Sequence, residues 1–420
     1  MQNIHIFKPL SVKLPLNSDI KRKSKRPFHL KQHDYDEKYD WDTLSYDVFY
    51  SEGYIYLSGP PSYGIESLYT KGCFYIEGNN LTSSMEIIHM DRAQRVRIPV
   101  EHKPDIIIWN NEAFSKEIRV DNDFNHLFKD KNVIFTLSKN NDLNWIKDWI
   151  IFYRDQYNIN GVLIYDNSST VYTLDEMASF LSNENLGVEI VLVSWPFKYG
   201  PQGSVKDNLP WDSDFCQHGA MENAKVKYLK HANIVFNVDI DELIFIKNNT
   251  SFLSKLKKFG ILHIPGIWVS STPINNNNES NIQKKFQDYI YINKKEIFSP
   301  YKWAVSPKDI KFECQWTTHR VISLGKCLRS FVLHTSYQNY YYHYKAINTS
   351  WKYNRLNSEN VRADLCKSLD LVKYANIKST TSLSDKINFI YIKSTISIRC
   401  FLKNMNEIVK YIKFAVIKSN

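Results

Sequence analysis

The residues best suited to chemistry in this chain are two aspartates, Asp239 and Asp241, in the segment FNVDIDELI at 236–244. In an extended segment, side chains alternate between two sides, so these two carboxylates would project the same way. Neighbouring carboxylates repel each other unless a positive charge lies between them, and a hard divalent cation fits that role. Mg²⁺ and Mn²⁺ prefer such oxygen ligands and keep open positions that substrate phosphates can fill. The spacing therefore predicts a metal site, and the alternative is an exposed acidic turn after a strand.

Strand-like and helical patterns alternate in the part of the chain that leads to this pair. Short apolar runs typical of buried strands recur in four places, at 132–141, 161–169, 188–197 and 233–244. Helical periodicity lies between them, at 142–159, 173–184 and 220–232. This alternation predicts an α/β fold with a mostly parallel sheet covered by helices on both faces. Ligands bind such sheets at the carboxyl ends of the strands, where Asn140, Asp166 and the aspartate pair are expected.

The motifs of this region resemble those of known enzymes. The segments SKNNDLNWIKDWIIFYRDQYNINGVLIYDNSS and QHGAMENAKVKYLKHANIVFNVDIDELI, with KW, H and HYK further on, resemble glycosyltransferases of family 2 and family 92 over roughly 132–355. The resemblance implies a GT-A-type (Rossmann-like) fold. It also implies transfer of a sugar from a nucleotide-sugar to a hydroxyl acceptor, with Mn²⁺ or Mg²⁺ as cofactor and inversion at the anomeric centre. A glycan or lipid-linked acceptor and a role in surface polysaccharide or glycoconjugate synthesis follow from the same resemblance.

The resemblance also implies residues that bind the nucleotide-sugar. Asn140 lies in a polar element after the first strand, although the next residue is Asn where that group usually has Glu. Asp166 ends the second strand, where the family has an aspartate that contacts the nucleoside. Gln217 and Asn223 stand at family-like positions in the helix before the aspartate pair, and Asp239 begins the family's DIDE-type element.

Downstream residues complete the implied site. Lys302, in a Lys-Trp pair, resembles a family element, and it could neutralise the diphosphate together with Lys345 and Arg355. Two histidines compete for the remaining metal position. His319 is favoured as the metal ligand because it is predicted near a strand end, and His343 is expected to contact the diphosphate instead.

The general base should be a carboxylate that faces the metal site across the cleft. Glu313 is the first choice for this base and Asp309 is the second. Trp211 and Trp316 could form part of an acceptor floor, although packing in the core is an equally good explanation of both.

The bulk composition limits the class of protein. A net charge of +10 favours anionic partners such as nucleotide phosphates or an acidic membrane face. Nucleic-acid-binding signatures are missing from the sequence, so a nucleic acid is not an expected partner. The six cysteines are scattered without paired spacing, which predicts reduced thiols and a cytoplasmic location. Neither a signal peptide nor an apolar run long enough to span a bilayer is predicted.

Four regions are predicted along the chain. They are a polar basic arm (1–43), a mainly β domain (44–130), a GT-A catalytic domain (131–360) and a helical basic tail (361–420). The KRKSKR run at 21–26 is interpreted as solvated, with phosphate or membrane binding as the alternative. The end of the tail carries seven Lys/Arg against one Glu from 386 to 420, which suits either a peripheral helix on an anionic membrane or a helix packed on its own domain.

Two other functions remain open from the sequence. Paired carboxylates also serve metal-dependent phosphoryl or nucleotidyl transferases, which would exchange pyrophosphate with a nucleoside triphosphate. A non-catalytic carbohydrate-binding protein is the other alternative, and its glycan binding would not depend on metal. The sequence identifies neither the sugar nor the nucleotide base.

Overall fold

The computed structural model describes residues 3–204, 208–274, 283–295, 297–310, 313–324, 338–349, 364–377 and 381–419, without the side chains of 407, 408 and 410–419. Arg355, which is expected to help neutralise the diphosphate, lies outside these residues.

Before residue 131 the chain is mainly β, as predicted. Its strands are β1 (Ile4–Phe7), β2 (Val12–Lys13), β3 (Thr43–Ser45), β4 (Asp47–Ser51), β5 (Tyr54–Gly59), β6 (Cys73–Ile76), β7 (Asn79–Asn80), β8 (Glu86–Met90), β9 (Ala93–Pro99), β10 (Ile106–Asn110), β11 (Ser115–Arg119) and β12 (Asp121–Asn122). Short helices are α1 (Tyr35–Lys38) and α2 (Ser67–Thr70). One sheet has the order β12–β4–β5–β9–β8 and another has the order β11–β10–β6–β7.

After residue 131 strands and helices alternate. The strands are β13 (Asn132–Ser138), β14 (Gly161–Asp166), β15 (Glu189–Ser194), β16 (Ile234–Asn237), β17 (Glu242–Ile246), β18 (Ile261–Val269), β19 (Tyr291–Asn293), β20 (Phe298–Val305), β21 (Cys314–Trp316), β22 (Val321–Ser323), β23 (Asn339–Tyr344) and β24 (Leu365–Lys367). The helices are α3 (Leu143–Tyr157), α4 (Leu174–Asn183), α5 (Phe215–Asn223), α6 (Asn249–Phe259), α7 (Leu369–Tyr374) and α8 (Leu383–Ser419). A π-helical turn, Ala224–Tyr228, directly follows α5.

These elements form an 11-stranded central sheet with the order β1–β15–β14–β13–β16–β20–β18–β19–β24, and β23 joins β17 to β18. Five neighbouring strands of this sheet, β1, β15, β14, β13 and β16, are parallel to one another, whereas β20 runs antiparallel to β16. The carboxyl ends of β14, β13 and β16 therefore lie side by side at one edge. This arrangement confirms the predicted α/β fold class with a mostly parallel core.

The central strands β13, β14 and β15 are buried on both faces because most of their side chains are apolar. Ile134 and Ile164 belong to the core cluster that contains the apolar side of α3, whereas their neighbours Phe135 and Tyr165 pack in the cluster that contains α5. Each large apolar side chain removed from water in this way stabilises the fold by about 1.5–3 kcal/mol. Helix α3 begins where the Asp142 side chain accepts a hydrogen bond from the Asn144 backbone. The periodic spacing of apolar residues in the sequence therefore matches the side chains that are buried in the structure.

The first residues do not form a solvated arm, so that prediction is wrong. Strand β1 extends the central sheet by pairing in parallel with β15. Arg22 and Arg26 of the KRKSKR run are buried, while the lysines of the run are exposed. The Arg22 guanidinium donates hydrogen bonds to three backbone carbonyls, and Arg26 pairs with Asp212 at 2.6 Å. Burial of these two cations is tolerated because their donors are satisfied.

The C-terminal segment is also part of the folded core. Strand β24 pairs with β19, and α8 buries Phe389, Ile392, Ile396 and Cys400 against the same core cluster as α3. One side of the basic helix therefore packs on its own domain. In the described part of the chain, all helices are too short or too polar to cross a bilayer. The domain limits at 43, 130 and 360 stay predictions.

Candidate metal and sugar-nucleotide site

Asp239 and Asp241 lie in a tight turn between β16 and β17. The Glu242 backbone N–H donates to the Asp239 carbonyl at 3.1 Å, and the Asp239 backbone N–H donates to the Glu242 carboxylate at 2.9 Å. The extended conformation predicted for this segment is therefore wrong. Because the chain turns here, the two aspartates have different partners. Lys302 donates to Asp239 at 2.8 Å, whereas Asp241 Oδ2 lies 3.1 Å from His343 Nε2.

Asp241, Glu242 and His343 form a group whose potential ligand atoms all lie within 4.8 Å of one another. Antiparallel pairing of β17 with β23 creates this group, because it places Glu242 opposite His343. The imidazole is held in place by the Ser299 hydroxyl, 2.8 Å from Nδ1, and by Trp268, whose ring is stacked on it at 4.0 Å. Two carboxylates and one imidazole are a donor set that suits a divalent cation. The residues present fit a metal ion.

A buried lysine balances part of the negative charge of this group. Lys302 Nζ lies 2.8 Å from Asp239 and 3.1 Å from Glu242. Burial would lower the pKa of Lys302, but the two carboxylates outweigh burial and raise it, so the lysine stays charged. Burial raises the pKa of Glu242 to about 8, against the opposing effect of Lys302, and the nearby Asp239 and Asp241 charges add to the rise. A bound cation would favour the ionised form of this carboxyl.

The group opens into a cleft of about 600 Å³, which we call the Asp239 cleft. Its polar and aromatic lining residues include Asp91, Arg92, Tyr199, Trp211, Asp214, Gln217, Asp239, Glu242, Trp268, Thr317, Thr318, His319, Arg320, Tyr341 and His343. The cleft therefore combines carboxylates, cations and aromatic rings, which are the groups that bind phosphates and sugars.

The N-terminal region contributes a hairpin tip to this cleft. Asp91 and Arg92 form the turn between β8 and β9, and Arg92 adopts a positive φ of 54°. The backbone of Asp91 exchanges two hydrogen bonds with the Gln315 side chain, at 2.9 and 2.6 Å. Arg92 donates to Asp214 at 2.7 Å. Burial would raise the pKa of Asp214, but His218 and Arg92 outweigh burial and lower it, so this carboxylate stays ionised.

Sequence reasoning missed this hairpin contribution. The residues MDRA between two strand-like runs indicate a turn, but local sequence carries no information on where the tip of a hairpin will dock. Arg320, Tyr199 and Trp268 were missed for the same reason.

Two residues predicted to bind the nucleotide-sugar lie on α5, and the structure separates them. Gln217 lines the cleft and accepts a hydrogen bond from the Tyr199 hydroxyl at 2.6 Å. Asn223 is fully buried, accepts from the Tyr165 hydroxyl at 2.6 Å and donates to Asp47 at 2.9 Å. Asn223 therefore joins the N-terminal sheet to the core and does not line the cleft.

Asn140 and Asp166 lie at the predicted edge of the sheet and are connected through one loop. The Asn140 backbone donates to the Ser169 hydroxyl at 2.8 Å, and the Ser169 backbone donates to Asp166 at 3.0 Å. Asn140 also accepts from the Thr170 backbone at 2.7 Å. Asn140 follows β13, which is next to β16 in the sheet, and Asp166 is the last residue of β14. Neither residue is among those that line the Asp239 cleft.

The two predicted general bases lie away from the cleft. Glu313 is paired with Arg95 and lines a separate pocket of about 300 Å³ beside the N-terminal sheet. Asp309 accepts a hydrogen bond from the Ser306 hydroxyl at 2.6 Å. Neither residue lines the Asp239 cleft, because Arg95 and Ser306 hold their carboxylates elsewhere.

The remaining predicted residues are divided between the cleft and the core. His319 lines the cleft, and its Nδ1 lies 2.9 Å from the Tyr301 carbonyl oxygen. Trp211 lines the cleft and is 41% exposed. Trp316 is buried against Trp303, with ring centroids 5.1 Å apart, so it cannot form an open acceptor floor. Lys345 is buried, with Nζ 5.7 Å from the centroid of a Trp268 ring.

This chain resembles known proteins at the level of a family. No match is found among curated proteins. Similar solved structures include S. aureus TarS 1–349, with 12% identity, a TM-score of 0.26 and coverage of 51% of this chain and 60% of that one. A second structure, S. aureus TarS, has 12% identity, a TM-score of 0.25 and coverage of 51% and 35%. Residues 132–378 match the model of glycosyltransferase family 92. Because this match spans more than half of the 420 residues, the chain belongs to glycosyltransferase family 92.

Proposed function

We propose that the chain transfers a sugar from a nucleotide-sugar donor to a hydroxyl of a glycan or lipid-linked acceptor, with inversion at the anomeric carbon and with Mn²⁺ or Mg²⁺ as cofactor. The observation that carries this proposal is the group of Asp241, Glu242 and His343 beside the Asp239–Lys302 ion pair. Asp239, Glu242 and His343 of this set line one cleft. A cytoplasmic location and a role in surface polysaccharide synthesis remain predictions that accompany it.

Asp241, Glu242 and His343 would hold the metal ion. When bound, it would offset the negative charge that the nucleoside diphosphate gains as it leaves. We assign the histidine ligand to His343 instead of His319 because His343 Nε2 lies 3.1 Å from Asp241, whereas His319 does not belong to the Asp241 group. The ring orientation is supported by the Ser299 hydroxyl.

Other side chains of the cleft would bind and orient the donor. Lys302 donates a hydrogen bond to Asp239 and holds its side chain in a defined position in the cleft, where it would accept a hydrogen bond from a ribose or sugar hydroxyl. Arg92 and Arg320 line the same cleft and would balance charge on the diphosphate. Trp211 offers an exposed ring on which a sugar could stack.

The transfer itself is a single displacement. The acceptor oxygen forms a bond to the anomeric carbon while the bond from that carbon to the diphosphate oxygen breaks, and the diphosphate keeps the electron pair. The acceptor proton passes to a carboxylate. Asp91 and Asp214 both line the cleft and both pair with Arg92, at 2.8 and 2.7 Å. We assign this role to Asp91, because its side chain is 47% exposed whereas that of Asp214 is buried.

The proposal is tested with a panel of nucleotide-sugars incubated with the protein and Mn²⁺ and scored for slow donor hydrolysis. We expect hydrolysis of one donor, its loss on chelation, and its loss in Asp241→Asn while the fold persists. Asp155→Asn makes the same change on the exposed side of α3 and should behave as the unmodified protein. Hydrolysis that ignores Mn²⁺ and Asp241→Asn would contradict the assignment. Pyrophosphate exchange with a nucleoside triphosphate, without sugar transfer, would support a nucleotidyl transferase instead.

A further inference from the structure

Helix α8 carries apolar side chains on two opposite sides. One side is buried in the core through Phe389, Ile392, Ile396 and Cys400. The other side exposes large apolar residues that include Ile387, Ile390, Ile398, Phe401, Leu402 and Met405. At about 100° per residue, these positions fall on one stripe roughly opposite the buried one. The exposed stripe continues over more than five turns of the helix.

Such a stripe is unusual for this molecule. Elsewhere in the described residues the exposed large apolar side chains are scattered singly, for example Leu16, Phe28 and Val171. Scattered exposure of this kind is normal, whereas a continuous apolar surface marks an interaction site.

The buried side of α8 holds the helix in a fixed orientation. The Arg399 guanidinium lies 4.0 Å from the centroid of the Phe298 ring, and Lys403 Nζ lies 3.6 Å from that of Tyr301. Cys400 Sγ is 3.7 Å from the Tyr301 hydroxyl. These contacts join α8 to β20, the strand that also carries Lys302 of the candidate site. The stripe therefore cannot rotate into the core without breaking this packing.

The charge of α8 distinguishes between possible partners. Between 383 and 419 the helix carries seven Lys or Arg residues against two acidic residues, Asp385 and Glu407. Two copies of such a helix would repel each other along a shared seam, whereas a surface of anionic lipids would attract both. A helix that exposes an apolar stripe and carries a net positive charge suits the interface of an anionic membrane.

We propose that α8 docks the folded enzyme on an anionic membrane surface, with its exposed stripe at the boundary between headgroups and acyl chains. The helix lies in the plane of the surface and does not cross it. Because α8 packs on β20, docking holds the Asp239 cleft at a fixed position relative to the membrane. The docking proposal rests on the exposed face and charge of α8, and it is independent of which sugar is transferred.

The test is co-sedimentation of the full chain with vesicles of phosphatidylcholine alone or with about 30% phosphatidylglycerol. We expect binding to the anionic vesicles and at least about tenfold weaker binding to neutral ones. The triple variant Ile387→Gln, Ile398→Gln, Phe401→Gln should lose at least about tenfold in partitioning, because three apolar side chains no longer enter the interface. Glutamine is a good helix former, so circular dichroism should report unchanged helix content.

A matched control triple variant, Leu16→Gln, Phe28→Gln, Val171→Gln, removes exposed apolar side chains away from α8 and should bind like the unmodified protein. Equal binding to both vesicle types, or a stripe variant that binds as well as the control, would overturn the proposal. A stable dimer in light scattering that the stripe variant converts to monomer would overturn it too, since a second copy would then cover the face. Donor hydrolysis is not part of this assay, so its outcome does not depend on the sugar-transfer proposal.

Discussion

His343→Gln is the substitution that tests the metal assignment most directly. His343 Nε2 lies 3.1 Å from Asp241 Oδ2, and Glu242 lies on the other side of the imidazole. Glutamine retains polarity and similar volume but does not supply the ring nitrogen. His319→Gln is the matched control, because it removes the competing histidine from the same cleft without touching the Asp241 group.

The expected magnitude follows from binding linkage. Mn²⁺ at about 100 times its dissociation constant stabilises the fold by about 2.7 kcal/mol. Unfolding entropy of about 2.1 cal/mol/K per residue amounts to about 0.9 kcal/mol/K for this chain, so Tm should rise by about 3 °C. If loss of one ligand weakens Mn²⁺ binding by about 100-fold, the stabilisation at the same Mn²⁺ concentration falls to about 0.4 kcal/mol. The rise in Tm then falls to about 0.5 °C.

The assay is thermal unfolding of each variant after chelation and again with Mn²⁺. Each Mn²⁺-induced shift is compared with the metal-free Tm of the same variant, because His343→Gln also loses the Ser299 hydrogen bond and the Trp268 stacking. We expect a shift of about 3 °C for the unmodified protein and for His319→Gln, and about 0.5 °C for His343→Gln. A full shift in His343→Gln together with a lost shift in His319→Gln would refute the reasoning and restore His319 as the ligand.

Three further outcomes are expected. Asp91→Asn should lower turnover by at least about 100-fold, whereas Glu313→Gln should change it by no more than a few-fold. Steady-state rates that show the reverse would assign the general base to Glu313. Lys302→Met removes a buried cation from between two carboxylates and should lower the free energy of unfolding, measured in urea, by about 3 kcal/mol. An unchanged free energy of unfolding would contradict the stabilising role of this ion pair. Burial would raise the pKa of Glu222, but Arg95 and a neighbouring lysine outweigh it and lower the pKa. Its contribution to stability is therefore present above the ordinary glutamate pKa and is lost as pH falls through the lower, folded-state value, so melting curves of Glu222→Gln should depend less on pH in this acidic range.

Much of the parallel core could be predicted from the sequence, because the decisive information is local. The strand predicted at 161–169 and the helix predicted at 142–159 correspond to β14 (Gly161–Asp166) and α3 (Leu143–Tyr157). The turn at Asp239–Asp241 was missed, since an apolar run before it and after it reads as one strand. Hydrogen bonds between Asp239 and Glu242 bend that segment, and the long-range pairing of β17 with β23 holds Glu242 in place.

By itself, then, the sequence determined the alternation of strands and helices and the family resemblance, and it pointed to Asp239 and Asp241 as candidate site residues. The spacing of apolar residues and the short motifs carry that information, and each of these signals spans no more than about 30 residues. Only the tertiary structure decided that His343, not His319, lies beside Asp241, because strand pairing brings together residues 102 positions apart. Other long-range contacts placed Lys302 beside Asp239, docked Arg92 in the cleft and paired Glu313 with Arg95 outside it.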